Sequence, residues 1–296
     1  MEGVQNRLST AVSLVQKTKL FFKMIDFHET VFALPFAYVS AMLATNAKLT
    51  WTQAVWLLVA MVSGRSLAMA FNRMIDVEFD ARNPRTADHI MPKGLLSRKE
   101  VMGSILACAA IFIYAAAQFN RLAVLLAPVA IFIMTFYSYT KRFTWTTHLI
   151  LGVALGQVPV AAWLALTGSV PLPAWFLGAA VACWVAGFDI IFALQDMEAD
   201  RAEGLHSIPV RFGLAQSLWW SRGLHLAAVI FFALTGVAID ANFYYWIGFT
   251  LVTLLLVVEQ ATIASLDLSR LNFAYFKVNG IVSIAFFIFT WLSIIF

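Results

Sequence analysis

Two short acidic motifs contain the residues of this chain that are best suited to chemistry. The first, DVEFD, runs from Asp76 to Asp80, and the second, DMEAD, runs from Asp196 to Asp200. Each follows a long apolar run, where clustered carboxylates are costly unless cations compensate them. In enzymes, Mg2+ is commonly held by one or two carboxylates together with substrate phosphates. Two facing motifs could therefore hold magnesium ions around a diphosphate.

Helical spacing extends each motif along one helix face. At 100° per residue, positions i, i+7, i+11 and i+15 share a stripe. The first stripe consists of Arg65, Asn72, Asp76 and Asp80. The second consists of Asp189, Asp196 and Asp200. Solvated helix ends are the alternative interpretation, and the matched pair of motifs, each with an intramembrane polar residue on its stripe, favours a site.

Basic residues flank both motifs and suit an anionic ligand. Guanidinium groups bind phosphate oxygens bidentately, and lysine adds a compact positive charge. Some of these residues need only reflect membrane topology. The candidates for contact with a phosphate-bearing substrate are Arg65, Arg85, Lys93, Lys141, Arg142 and Arg201.

The elements that must position these residues are membrane helices. The 296 residues are 61% hydrophobic and only 12% charged, which is far from the composition of a soluble domain. The apolar runs are long enough for helices that cross a bilayer, and the alternating signal of a transmembrane barrel is missing. We therefore expect an all-α, polytopic membrane protein in which the lipid bilayer is a partner.

Hydropathy predicts nine spans, and no long polar linker separates them, so residues 1–296 are expected to form one domain. The predicted spans are 27–45, 51–74, 101–118, 122–140, 146–167, 173–195, 216–239, 243–265 and 274–295. With the N-terminus in the cytoplasm, seventeen Lys and Arg residues lie on the cytoplasmic side and two on the other. The positive-inside rule therefore predicts a cytoplasmic N-terminus, and both acidic motifs then lie at the cytoplasmic face.

Charge, cysteine usage and the N-terminal segment argue against a nucleic-acid-binding protein, a cysteine metal site and a cleaved signal peptide. The net charge of +4 follows the topology and, without a basic-aromatic binding module, gives no case for nucleic acid. The two cysteines, Cys108 and Cys183, lie in predicted spans without the spacing of a metal site. The N-terminal segment lacks the pattern of a cleaved signal peptide.

Several segments together resemble a known family, the UbiA-type intramembrane aromatic prenyltransferases. NRMIDVEFD resembles their first aspartate-rich motif, and FDIIFALQDMEADRAEGLHSIPVRFG resembles their second motif region. Further similarities are Arg65, NPRT followed by PKG, YSYTKR and GVALGQVP. The segment HETVFALPFA is similar to sequences of the 4-hydroxybenzoate polyprenyltransferase-like branch of this family. Members of that branch are often assigned to menaquinone synthesis by the futalosine route.

The resemblance implies a nine-helix bundle with a central cavity. It also implies Mg2+-dependent transfer of a polyprenyl group from polyprenyl diphosphate to an aromatic acid. The acceptor would be 4-hydroxybenzoate or a dihydroxynaphthoate such as 1,4-dihydroxy-6-naphthoate, in ubiquinone or menaquinone biosynthesis at the inner membrane. Metal ligands would be Asp76, Asp80, Asp196 and Asp200. Asn72 would bind the metal-diphosphate, while Asp189, Arg65 and Tyr137 would be catalytic, with Asp189 orienting or deprotonating an acceptor hydroxyl or pairing with Arg65.

One departure and two alternatives accompany the resemblance. Arg73 stands where the family usually has an aspartate. A cation-coupled transporter would also place carboxylates in a membrane, but nearer the midplane and often within an inverted repeat. A CDP-alcohol phosphotransferase would need glycine after its first aspartate, where this chain has Val77, and both of its acidic pairs in one short stretch.

Overall fold

The computed structural model of the protein describes residues 14–26, 33–264 and 277–296. Within these ranges the chain is helical, without a β-strand. In chain order the helices are α1 Leu14–Met24, α2 Leu34–Thr45, α3 Trp51–Asp80, α4 Arg98–Ala117, α5 Arg121–Thr140, α6 Thr147–Thr167, α7 Leu172–Ala193, α8 Met197–Ala202, α9 Ile208–Ala238, α10 Phe243–Ala264 and α11 Asn279–Ile295. A single 3-10 turn, Leu194–Asp196, joins α7 to α8.

The helices confirm a multi-pass membrane protein. Seven helical segments of the described ranges are long and apolar enough to cross a bilayer, namely α3, α4, α5, α6, α7 with α8, α9 and α10. The apolar helices α2 and α11 are shorter and coincide with the first and last predicted spans. Residues 27–32, 265 and 274–276 of the predicted spans lie outside the described residues.

Helix ends follow local sequence signals. Thr50 and Gln53 form a capping box at the start of α3, and Ser97 and Glu100 form another at the start of α4. In such a box the side chains satisfy backbone N–H groups that the first helical turn leaves without partners. Helix α3 then continues without interruption through the first acidic motif to Asp80, six residues beyond the predicted span.

The second acidic motif lies on a broken helix, which corrects the expectation of one continuous stripe. Helix α7 ends at Ala193, the 3-10 turn includes Asp196, and the short α8 contains Asp200. Since a 3-10 turn advances by about 120° per residue instead of 100°, the seven-residue spacing from Asp189 no longer fixes a common face. The aspartates nevertheless reach the same cavity, as described below.

Helix α7 is at the centre of the bundle and packs most extensively against α6 and α9. Its Trp184 contacts Phe36 of α2, and Phe36 lies against Phe232 of α9 and Phe286 of α11. All four side chains are almost completely buried. A second buried cluster joins α1, α3 and α4 through residues such as Met24, Leu67 and Val101.

Small residues bring α6 and α7 close together. A Cβ atom placed on Gly156 of α6 would lie 2.6 Å from the carbonyl oxygen of Gly178, and one on Gly178 would lie 2.8 Å from the carbonyl oxygen of Gly156. Neither position leaves room for a side chain, so the backbones can approach as they do in small-xxx-small helix pairs. This close packing brings the N-terminal turn of α6 to the cavity-facing part of α7.

Candidate functional site

A single cavity of about 690 Å3 joins the two acidic motifs. This volume is in the range of small-molecule binding sites. One end is lined by polar and charged side chains and the remainder mostly by apolar ones, including Leu57, Met61, Phe112, Phe119 and Val158. The predicted site residues that line it are Arg65, Asn72, Asp76, Asp80, Arg85, Tyr137, Lys141, Asp189, Asp196 and Asp200.

The first motif is positioned by the last turns of α3. Asp76 is only 3% exposed, and its Oδ2 accepts a hydrogen bond of 3.2 Å from Asn72 Nδ2 one turn earlier. The same Oδ2 lies 2.6 Å from Lys141 Nζ, and Arg142 Nη2 lies 3.5 Å from Oδ1. Arg142 also donates to the carbonyl oxygen of Ile75 at 2.8 Å. The adjacent Lys and Arg that follow α5 thus compensate a buried carboxylate.

The second motif is bound to the loop that follows α3. Arg85 donates from Nε to Asp196 Oδ1 at 2.8 Å and from Nη2 to Oδ2 at 2.5 Å, which is the bidentate geometry of a strong arginine–carboxylate pair. Asn83 Nδ2 donates to the same Oδ1 at 3.0 Å. The ring of Phe192 lies under the Arg85 guanidinium at 5.3 Å.

Local hydrogen bonds explain why NPRT adopts this conformation. Asn83 Oδ1 accepts from the backbone N–H of Arg85 at 2.9 Å, an Asx turn that directs Arg85 toward the second motif. Thr86 donates from Oγ1 to the carbonyl oxygen of Asp80 at 3.0 Å. The loop is therefore attached to the end of α3, and it connects the two motifs in space.

Two groups of this loop that line the cavity, Arg85 and His89, have shifted pKa values. Burial lowers the pKa of Arg85, but the hydrogen bond and the charge of Asp196 outweigh it, so the pKa rises overall and the guanidinium stays charged. Burial lowers the pKa of His89, and the nearby charge of Arg73 lowers it further. His89 also lines the cavity, and at neutral pH a lowered pKa favours its uncharged ring.

Asp189 lies deeper in the cavity and is paired with a histidine. Its Oδ2 is 2.6 Å from Nδ1 of His148, which is the second residue of α6. His148 is 4% exposed and Asp189 is half-buried. Tyr137 and Arg65 line the same cavity, and Tyr137 is within electrostatic range of both Arg65 and Asp189.

The structure gives Arg73 a role that the sequence could not supply. Its Nη2 lies 2.8 Å from Asp26 Oδ2, Nε donates to the carbonyl oxygen of Met24 at 3.4 Å, and Nη1 is 3.9 Å from Asp80 Oδ2. Arg73 thus connects the end of the amphipathic α1 to a carboxylate of the first motif. Arg73 and Asp26 both line the cavity.

Three predicted substrate contacts do not lie on the cavity wall. Lys93 is half-exposed and pairs with Asp88 at 2.8 Å on the loop surface, and Arg201 is exposed on α8. Arg142 lies one layer outside the cavity, where it binds Asp76 and the end of α3. Lys93 therefore has no contact with the cavity, whereas Arg142 acts on the site through the carboxylate of Asp76.

Sequence reasoning did not select His148 or Asn83 as site residues. The signal for Asn83 was its place two residues before Arg85, because an Asx turn orients the residue that follows. For His148 the available signal was its position near the start of predicted span five, because that span begins at the same membrane face as both acidic motifs. A lone histidine at the end of an apolar helix gave no further indication.

The donor set of the cavity suits a hard divalent cation. The four aspartates of the two acidic motifs supply carboxylate oxygens, which are the ligands that Mg2+ prefers. Within the described ranges, however, no three His, Cys, Asp or Glu side chains converge closely enough to hold an ion by themselves. A Mg2+ ion here would need oxygens from a bound phosphate, which agrees with the usual mode of Mg2+ binding in phosphate-using enzymes.

The fold and the site define a polytopic membrane protein with a carboxylate-rich, cation-balanced pocket opening into an apolar cavity. The family model of the UbiA prenyltransferase family matches residues 33–292. The chain therefore belongs to this family of transferases, as its motifs indicated. Membership in a prenyltransferase family sets aside both the transporter and the CDP-alcohol phosphotransferase.

Relatives and solved structures agree with this membership. A 4-hydroxybenzoate octaprenyltransferase of Francisella tularensis subsp. novicida is 25% identical over 82% of this chain and 86% of its own length. The apo structure of a UbiA homologue from Aeropyrum pernix K1 has 33% identity and a TM-score of 0.82, covering 90% of this chain and 98% of that one. A UbiA homologue from Archaeoglobus fulgidus, solved with GPP and Mg2+, shares the fold with a TM-score of 0.75 at 21% identity, covering 94% of this chain and 100% of that one.

Proposed function

We propose that this protein transfers a polyprenyl group from polyprenyl diphosphate to a hydroxylated aromatic acid, with Mg2+ as its cofactor. The observation that carries the proposal is the convergence of Asp76, Asp80, Asp196 and Asp200 on one end of an apolar cavity. The named activity of the Francisella relative supports an aromatic acceptor, and the Archaeoglobus homologue with GPP and Mg2+ supports a magnesium-bound diphosphate.

The polar end of the cavity would bind the diphosphate. Asp76 and Asp80 from α3 and Asp196 and Asp200 from the opposite motif would hold Mg2+, which neutralises charge that develops on the leaving diphosphate. Asn72 would support the same site through its contact with Asp76. Each motif contributes carboxylates from one side, so the diphosphate would lie between them.

Arg85 and Lys141 would contact the phosphate oxygens directly. Both line the cavity, and both are paired with carboxylates of the motifs at 2.5 and 2.6 Å. A cation that already neutralises an aspartate needs only a short movement to contact a phosphate bound beside that aspartate. Arg65 and Tyr137 lie farther along the same cavity wall, where they would contact the reacting end of the substrates.

The apolar part of the cavity would accept the prenyl chain. Its walls are contributed mainly by α3, α4, α5 and α6, with residues such as Leu57, Phe112, Leu126 and Val158. Burial of a long hydrocarbon chain among such side chains is favourable at about 25 cal/mol per Å2 of apolar surface. The same walls would exclude water from an allylic cation.

The topology belongs to this proposal. We infer nine spans, with α2 and α11 as the first and last, a cytoplasmic N-terminus and a site at the cytoplasmic face of the inner membrane. The positive-inside asymmetry of the sequence supports this orientation. Residues 1–296 would then form one functional domain, of which the family model covers residues 33–292.

The deciding experiment is an assay of purified protein with one labelled allylic diphosphate. The acceptors are 4-hydroxybenzoate and two dihydroxynaphthoate isomers, each tested with Mg2+ and with EDTA. We expect Mg2+-dependent transfer to one acceptor class and none in EDTA. If no aromatic acid is prenylated, or if EDTA leaves transfer intact, the proposal is wrong.

Two matched substitutions test the metal ligands in that assay. Asp76→Asn and Asp196→Asn retain the side-chain shape but remove the charge, and we expect each to reduce transfer at least a hundredfold. The control is Asp88→Asn, because Asp88 is an exposed loop carboxylate paired only with Lys93 in the described structure. Near-normal transfer by the folded Asp76 and Asp196 variants would contradict their assignment as ligands.

A further inference from the structure

Helix α6 presents a histidine to the cavity with one ring nitrogen bound and the other without a partner. Nδ1 of His148 contacts Asp189 Oδ2 at 2.6 Å. Nε2 is buried and has no hydrogen-bond partner among the described residues. His148 is 4% exposed and lines the cavity. Because buried polar atoms are usually paired, an unpaired ring nitrogen beside a substrate cavity indicates a position for a ligand.

The contact with Asp189 fixes which ring nitrogen carries the proton. An ionised carboxylate can only accept, so the 2.6 Å contact places the proton of a neutral imidazole on Nδ1. Nε2 then has a free lone pair and can take a proton from a neighbouring group. In catalytic dyads a carboxylate orients the histidine in this way and stabilises the imidazolium that forms.

His148 also lies close to the second acidic motif. It is within electrostatic range of Asp200, a carboxylate of the second motif, and Tyr137 is within electrostatic range of both Asp189 and Arg65. The apolar part of the cavity begins nearby with Leu151 and Leu155 of the same helix. An aromatic acceptor at His148 would therefore lie between the polar end of the cavity and its apolar part.

We propose that His148 is the general base that removes the proton of the acceptor hydroxyl, and that Asp189 is its positioning residue. This inference rests on the proposed function, because it requires a hydroxylated aromatic acceptor. Deprotonation makes the ring a stronger nucleophile at the carbon beside the oxygen. General-base catalysis of this kind contributes about a hundredfold to ten-thousandfold.

The step balances in atoms and electrons. The hydroxyl proton moves to Nε2, and an electron pair of the ring forms the bond to C1 of the prenyl chain. The bond between C1 and the diphosphate oxygen breaks, and its electron pair leaves with the diphosphate. The resulting ketone loses its ring proton to the diphosphate and regains the hydroxyl proton from His148. The products are the prenylated phenol and a protonated diphosphate.

The test compares His148→Gln with wild type on two forms of the acceptor that the wild type uses. The second form has one fluorine beside the hydroxyl, which makes that hydroxyl more acidic. With the ordinary acceptor we expect kcat to fall at least a hundredfold, while KM for the allylic diphosphate changes less than about threefold. The fluorinated acceptor depends less on a base, because its hydroxyl loses a proton more easily. We therefore expect the fall in kcat caused by His148→Gln to be at least tenfold smaller with this acceptor.

Two further variants separate a base from a structural residue. Asp189→Asn keeps the packing but disturbs the tautomer of His148, so it should show the same dependence on acceptor acidity. His206→Gln is the control, because His206 is an exposed loop histidine outside the cavity lining. If His148→Gln does not fold, Asp189→Asn alone gives the comparison.

The possible outcomes distinguish this inference from the proposed function. Wild-type protein that prenylates no aromatic acid overturns the proposed function and this inference with it. Wild-type protein that is active, with variants that retain kcat or lose the same factor on both acceptors, overturns only the role of His148. A loss that shrinks with the more acidic acceptor supports it.

Discussion

Arg73 allows a prediction in which two neighbouring substitutions act in opposite directions. Its guanidinium lies 3.9 Å from Asp80, a proposed Mg2+ ligand, and 2.8 Å from Asp26. A positive charge beside a ligand opposes metal binding. Arg73→Gln should therefore strengthen Mg2+ binding, whereas Asp26→Asn, which leaves the Arg73 charge without its partner, should weaken it.

The distance gives the size of the effect. Two unit charges 3.9 Å apart interact by about 1 kcal/mol at the dielectric constant of water and by about 4 kcal/mol at an effective constant of 20. Both side chains of the Arg73–Asp80 pair are less than a fifth exposed, so the lower value is a minimum. Since 1.4 kcal/mol is a factor of ten, Arg73→Gln should lower the half-saturating Mg2+ concentration at least about fivefold.

The assay is prenyl transfer measured as a function of free Mg2+ at saturating allylic diphosphate. Arg98→Gln is the control, because Arg98 pairs with Glu78 on the exposed surface. Both test substitutions also break the contact between α1 and α3. If loss of this contact were the only effect, the half-saturating Mg2+ concentration would shift in the same direction in both variants. Equal shifts, or an unchanged Mg2+ dependence in Arg73→Gln, would refute the electrostatic argument.

Two further predictions concern packing and topology. Gly156→Leu should lower the thermal unfolding temperature in detergent, because the new side chain collides with the backbone of α7. Gly103→Leu is the control, because its side chain meets open space and should leave that temperature unchanged. Equal unfolding temperatures of the two variants would contradict the close packing of α6 against α7. Lys93→Cys, in a chain without its native cysteines, should resist an impermeant thiol reagent added outside intact cells, and labelling there would reverse the proposed orientation.

The sequence predicted the helices well because their signals are local. Length and hydropathy are sufficient to identify a span, and capping boxes mark where α3 and α4 begin. Hydropathy alone does not show the extension of α3 to Asp80, but the helical spacing of the first motif predicted it, and the structure confirms it. The 3-10 turn at Leu194–Asp196 was not predicted, because no residue there breaks a helix by itself.

The clearest signal for the site was the recurrence of one residue type at a helical spacing. Asp76, Asp80, Asp196 and Asp200 had that pattern, and all of them line the cavity. The partners of these carboxylates depend on which loops meet, and a single sequence does not show this. Lys93 and Arg85 are both loop cations, yet only Arg85 is directed at the second motif, by the Asx turn of Asn83.

The internal ion pairs explain how so much negative charge can remain beside an apolar cavity. Removal of one partner from a buried pair commonly costs 3–5 kcal/mol, because the other charge is left uncompensated. Lys141, together with Arg142, therefore stabilises the folded protein while no metal ion is bound at Asp76. If Mg2+ and a diphosphate bound together, Asp76 would be available to the metal and Lys141 could contact a phosphate oxygen, so each charge would keep a partner. Such an exchange would couple metal binding to diphosphate binding, and for that reason we expect Mg2+ alone to bind weakly.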